Sequence, residues 1–253
     1  MVTDVTGPVR QVQVLARIRP GDCATAAELA RRLGAAREEG ASGVVLETGE
    51  ADGAGVPGTL QRNGLAAALV PSTGPSGEPT LDYLVEVRSI HEARWAFESG
   101  ASGVLVGAPD AAAAVVDLAV SARPGDAPLE VWVPSGAAGK VRSGSGSGVV
   151  VVSESTPEHF LRIVQDRGLP LPGEDGGHEP ACVLPPSSEL GPGELEALAT
   201  LAVTGGAMRL RTHDPRVVRR CAHVAAELVA ARHVEASTGR PDTSRGRWRE
   251  ACR

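Results

Sequence analysis

Residues 209–214 read Arg-Leu-Arg-Thr-His-Asp, and Pro215 follows. Strand alternation puts Arg211 and His213 on one side of the chain. Asp214-Pro215 then marks a helix start, with a capping side chain and a proline in the first turn. Amides at a helix N-terminus attract anions. A guanidinium offers a fork of donors that matches phosphate, and an imidazole can add another. The chemistry implied is an anion pocket for phosphate or pyrophosphate. The same residue types also allow a structural arrangement, an Arg211–Asp214 pair with His213 partly buried.

Other chemistries lack their residues. No GxSxG motif is present, and no cysteine lies beside a plausible histidine base. The stretch SGAAGK (135–140) is not a phosphate loop, because its spacing fails and no Ser or Thr follows Lys140. No strand-like run is followed by GxGxxG, and no HExxH or acidic helix suggests a metal. Lys140 is the single lysine among 25 basic residues, which argues against Schiff-base work. Cys23, Cys182, Cys221 and Cys252 are far apart with no CxxC, as expected of reduced thiols in a cytoplasmic protein. A net charge of −6 argues against nucleic acid, and three Trp, one Tyr and two Phe make no base-stacking platform. No signal peptide is legible before the first strand-like run, and no stretch approaches the roughly twenty apolar residues of a membrane span.

The elements that must position these residues repeat. GASGVVLETGE (40–50) and GASGVLVGAPD (100–110) are nearly one phrase, and TGGAMRLR is a third relative before 211. The first two close a helix-spaced stretch on glycine and open a short Val/Leu run, and the third enters the run at 207–212. Eight such runs are present, at 12–18, 43–48, 83–88, 103–108, 129–133, 148–153, 181–184 and 207–212. They are continuous rather than alternating, as strands covered on both faces should be. Helical spacing falls between them at 25–39, 89–99, 109–122, 156–167, 193–204 and 214–234. The segments 57–70 and 135–142 are weak and read as loop. Eight strands alternating with helices predict a closed (β/α)8 TIM barrel over 12–234, with a doubly wound open sheet as runner-up. Residues 1–11 read as an extension, and 235–253 as a polar, disordered tail. Pro/Gly loops are expected at 71–80 and 169–180, and a flexible connector at 143–148. In such a barrel function gathers at the strands' carboxyl ends. That rim holds Arg17, Arg19, Arg88, Arg211 and His213, with Glu50, Glu86, Asp110, Glu154 and Asp214.

The closing segment TLAVTGGAMRLRTHDPRVVRRCAHVAAEL (200–228) resembles that of the dihydropteroate synthases, which end on a helix, a Gly-Ala joint, a strand with Arg-x-His-Asp and a last helix. LVEVRSIHEARWAFESGASGVLVGA (84–108) resembles the family's strand three, helix three and strand four. The resemblance implies a pterin-binding TIM barrel, and condensation of a dihydropterin pyrophosphate with p-aminobenzoate, with magnesium, in folate biosynthesis. It implies that Arg211 and His213 hold the anion, and that Glu86 stands where the family's strand-three Asp meets the pterin. It also implies a homodimer, since the family often pairs through its late helices. The departures are many. The signature Asn that helps to bind magnesium is Arg17 here, and the Thr two positions on is Arg19. GVLVGA has neither Asn nor Asp, SEST replaces Asp-Pro-Gly, and LPPSS lacks the pterin-clamping Lys.

Three readings follow. The first is a pseudoenzyme that keeps the barrel and an anion pocket (Arg17, Arg19, Glu86, Arg211, His213) for a pterin- or phosphate-bearing ligand. The second is an active transferase of the same class, on its usual or an altered substrate. The third is an unrelated phosphate-handling barrel, a lyase or isomerase.

Overall fold

The structure is a computed structural model that describes residues 11–48, 55–69, 82–122, 128–141, 148–167 and 178–237. Eight parallel strands close into one barrel in chain order. They are β1 (Gln13–Ile18), β2 (Gly43–Leu46), β3 (Asp82–Val87), β4 (Gly103–Val106), β5 (Leu129–Pro134), β6 (Val149–Ser155), β7 (Glu179–Val183) and β8 (Arg209–Thr212). β8 returns to pair with β1, Leu15 lying opposite Arg211. The helices are α1 (Ala26–Glu38), α2 (Gly55–Arg62), α3 (Ile90–Glu98), α4 (Ala112–Ala122), α5 (Ser135–Ala138), α6 (Pro157–Arg167), α7 (Glu194–Thr204) and α8 (Pro215–Ser237).

The repeated phrase is a helix stop that also starts a strand. Gly40 and Gly100 adopt φ of 88° and 83°, the left-handed region open to glycine. At the first joint the Gly40 amide donates to Arg37 O and the Ala41 amide to Ala36 O, the paired bonds of a Schellman cap. The Ser42 amide then donates to Val14 O at 2.7 Å, hooking the new strand onto β1. Ala101 and Ser102 do the same with Ala96 and Tyr83, and Ala207 and Met208 with Ala202 and Pro180. Helix starts are equally local. Thr25 and Ser89 accept from the amides of Glu28 and Glu92, whose carboxylates reach back to the amides of Ala24 and Arg88.

The weak segments are helical in part. α2 and a 3-10 turn at Leu65–Ala68 occupy most of 57–70, because Val56, Leu60 and Leu65 are shut into the core. One helical turn, α5, opens the other weak segment, with Ala137 and Ala138 buried. Burial, which local spacing does not carry, decides both. α8 runs to Ser237, three residues into the expected tail. The rest of that tail, residues 1–10, and the expected loop at 71–80 lie outside the described residues, as do 143–147 of the connector and 169–177 of the second loop.

The barrel is filled, not hollow. Leu15, Val45, Leu84, Leu105, Trp132, Val152 and Ala181 meet on its axis. Trp132 is fully buried and donates its indole N–H to Glu130 at 3.0 Å. Below it, at the amino ends of the strands, Arg209 lies 2.7 Å from Glu130 and 2.8 Å from Glu179, with its guanidinium carbon 6.0 Å from the Trp132 ring. No helix among the described residues is long and apolar enough to cross a membrane.

Candidate functional site: the carboxyl-end mouth of the barrel

Alternation carries charge inward above the apolar layer. Leu15 is followed two positions on by Arg17, Val45 by Glu47, Leu84 by Glu86, Val152 by Glu154, and Arg209 by Arg211. Four of these groups join. Arg211 donates through Nη1 to Glu47 Oε1 and through Nη2 to Glu154 Oε2 at 3.0 Å, and its Nε lies 2.8 Å from Glu154 Oε1. Arg17 Nε donates to both Glu47 oxygens, at 2.8 and 2.9 Å. Glu47 is 3% exposed and Arg211 10%. Two carboxylates and two guanidiniums cancel formally, as buried charges require.

The electrostatics divide the two acids. Burial pushes the Glu47 carboxyl up, but Arg211 and Arg17 outweigh it and hold the group below the ordinary carboxylate range. Burial, aided by the Glu47 charge, lifts the Glu154 carboxyl above that range against the pull of Arg211 and Arg17. His213 is held low by burial and by Arg17 and Arg19, against Glu47 and Asp214.

The residues singled out in the sequence are placed as follows. Arg17 and Arg211 come together, but each grips Glu47. The structural alternative pairs Arg211 with Asp214; its carboxylate partners are Glu47 and Glu154 instead. Glu86 accepts from the Thr48 amide at 2.8 Å, and Arg88 donates to the Thr48 hydroxyl at 2.9 Å, so both hold the chain leaving β2. The place a Cβ on Gly107 would take is 3.1 Å from Glu86 Oε1, so glycine keeps room for that carboxylate. Arg19 and His213 border a cavity of about 370 Å³ beside β1. Asp110 is exposed, and Glu50 is outside the described residues. Glu47 is the member of this charge cluster that the sequence motifs do not single out. Its signal is available in the chain: it lies on Val45's face, one residue past β2. Glu154 is legible as a rim charge, but its partner is not.

Magnesium does not fit these residues. The first-strand position carries a guanidinium, and Glu47 and Glu154 are taken up by guanidiniums. Among the described residues no group of three or more His, Cys, Asp or Glu side chains stands close enough to hold a metal.

No protein-family model and no curated protein sequence matches the chain. Solved structures do. The 7,8-dihydropteroate synthase of Vibrio fischeri ES114 superposes with a TM-score of 0.61 at 11% identity, over 88% of this chain and 94% of that one. The Xanthomonas albilineans dihydropteroate synthase, bound to indole-2-carboxylic acid and 6-chloroguanine, gives 0.61 at 14%, over 88% and 95%. The Burkholderia cenocepacia enzyme, complexed with 7,8-dihydropteroate, gives 0.60 at 15%, over 88% and 94%. The closed eight-stranded barrel, in unbroken strand order, is the fold of the dihydropteroate synthases.

Proposed function

We propose that this chain is a divergent dihydropteroate-synthase-like barrel that does not make dihydropteroate. The observation that carries this reading is Arg211, whose guanidinium is engaged along both edges by Glu47 and Glu154. A pyrophosphate arriving there would have to displace Glu47, which would keep only Arg17, or Glu154, which among the described residues would be left without a guanidinium, a loss of several kcal/mol. Trp132 closes the barrel axis below. The polar set implied by the family resemblance is also missing, with no Lys in LPPSS and neither Asn nor Asp in GVLVGA. Without that set a pterin's polar edge meets few partners, each worth about 1–3 kcal/mol when left unmatched. Magnesium takes no part in this reading, because Arg17 stands at the first-strand position and the Glu47 and Glu154 carboxylates are engaged by guanidiniums.

The test uses the full chain with dihydropterin pyrophosphate, p-aminobenzoate and magnesium. The expected result is no dihydropteroate by chromatography. Dihydropterin pyrophosphate should raise the melting temperature no more than pyrophosphate does. A ligand at a hundred times its Kd would add about 2.7 kcal/mol, a shift of about 5–10 °C for this chain length. Product formation would overturn the proposal in favour of an active transferase of the same class.

A further inference from the structure

Helix α8 lies between α1 and α7, and one of its faces is uncovered. Arg219 packs its side chain on Gly40 at the end of α1, while Cys221, on the other flank, feels the Glu196 charge of α7. Val217, Cys221, Val224 and Leu228 recur at i, i+4, i+7 and i+11, the spacing of one helical stripe. Val217 and Cys221 pack partly against the core under α7. Val224 and Leu228 are each 58% exposed, the most exposed large apolar side chains among the described residues. Glu196 borders the stripe on the α7 side, and Arg220 and Glu227 border it on the solvent side. Residues 238–253 follow the helix. Their one large apolar side chain is Trp248, set between Arg247 and Arg249, and Cys252 comes four positions later.

We propose that residues 238–253 fold back along α8 and seat Trp248 on Val224 and Leu228, so that this chain's own end, and not a second copy, covers the stripe. The lengths agree. Leu228 stands about 13 Å before the end of the helix, and residues 238–248 reach about 36 Å when extended. From Trp248 to Cys252 the extended chain spans about 13 Å, and from Leu228 back to Cys221 the helix spans about 10 Å. An antiparallel run that seats Trp248 therefore brings Cys252 to Cys221. The charges agree as well: Arg247 and Arg249 flank the anchor and meet Glu227 and Glu196, and Glu250 comes toward Arg220. Tethering gives the segment a local concentration on the order of millimolar, which a second copy at micromolar protein does not match. A single row of four side chains is also small beside the about 20–30 residues a side of a stable dimer. This surface is on the outside of the barrel and is independent of what the mouth does.

The test is thiol crosslinking of the full chain at micromolar concentration with a short bismaleimide, read by peptide mass spectrometry, with light scattering for the oligomeric state. Cys23 and Cys182 are buried, which leaves Cys221 and Cys252 to react. The expected result is a monomer carrying an intrachain Cys221–Cys252 link. A tail that never docks would also link through its tethered concentration, so the variants decide. Trp248→Ser and Leu228→Ser should each slow the link by about fivefold or more, through loss of the apolar contact. Val120→Ser removes an exposed apolar side chain from α4 and should leave the rate unchanged. A link formed in Trp248→Ser at the wild-type rate would overturn the proposal. So would links between chains only, a dimer that Leu228→Ser dissociates, or two thiols that each take up maleimide without ever joining.

Discussion

Glu47 and Glu154 share one guanidinium yet are pushed in opposite directions. Glu47, held low, stabilises the fold above the ordinary carboxylate range near pH 4.3, and that contribution is lost as pH falls through its depressed value. Glu154, held high, is strained when ionised; the folded state takes up its proton before the unfolded chain does, so this cost is relieved as pH falls through the raised value. Glu47→Gln is therefore expected to cost about 3–5 kcal/mol at pH 7, because it strips two buried guanidiniums of charge compensation. Glu154→Gln has the shape of the protonated acid and should cost less. Urea unfolding of the two variants at pH 7 checks the order, and the reverse order would contradict the electrostatic account. His213 tests the opposite sign for a base. Its depressed folded value means that the unfolded chain protonates first, so wild-type stability should fall as pH drops below about 6.5. His213→Gln should remove that part of the loss, measured as melting temperature between pH 7.5 and 5. The groups acting on His213 are Arg17, Arg19, Glu47 and Asp214, all of which the variant keeps.

At the scale of elements, the helix-to-strand joint is the repeating unit. Gly100 holds φ of 83°, and a Cβ there would meet only the Tyr83 hydroxyl, 3.9 Å away. Gly100→Ala thus tests backbone conformation with little steric interference and should cost about 1–2 kcal/mol. Gly103 fails for another reason: its Cβ would lie 2.7 Å from the Glu130 Cβ and closer still to the Glu130 carbonyl oxygen. Gly103→Ala must move β5 and should cost more than Gly100→Ala. Ser89→Ala removes a helix cap and should cost about 1 kcal/mol. Melting temperatures read all three, at about 2–4 °C per kcal/mol for a chain of this length.

For the molecule as a whole, closure depends on residues far apart in sequence. Arg211 and Glu47 are separated by 164 positions, and Arg209 draws Glu130 and Glu179 together at the opposite mouth. Between the two charged layers Trp132 fills the axis. Trp132→Ala should cost about 3–5 kcal/mol by transfer loss and cavity formation. It would also deprive the Glu130 carboxylate of its indole donor at 3.0 Å. Denaturant unfolding measures the loss. A loss under about 1 kcal/mol would mean that the barrel collapses around the gap.

The sequence by itself determined the barrel. Local signals carry strand starts and helix stops: the Gly-Ala joints at 40, 100 and 206, the caps at Thr25 and Ser89, and the continuous Val/Leu runs. Each joint acts within a few residues, so each is legible in a short window. α2 is less legible, because Val56, Leu60 and Leu65 are buried only once neighbouring elements cover them. At the site, the sequence named Arg17, Arg19, Glu86, Arg211 and His213 but not their partners. Tertiary structure decided that Arg211 is gripped by Glu47 and Glu154, that Glu86 serves the Thr48 amide, and that Arg19 Nε is buried with no acceptor among the described residues. The reason is physical. Facing direction along a strand follows from alternation, but which charge meets which across a closed barrel depends on strand stagger and on distances of a few ångströms, and no local pattern encodes either.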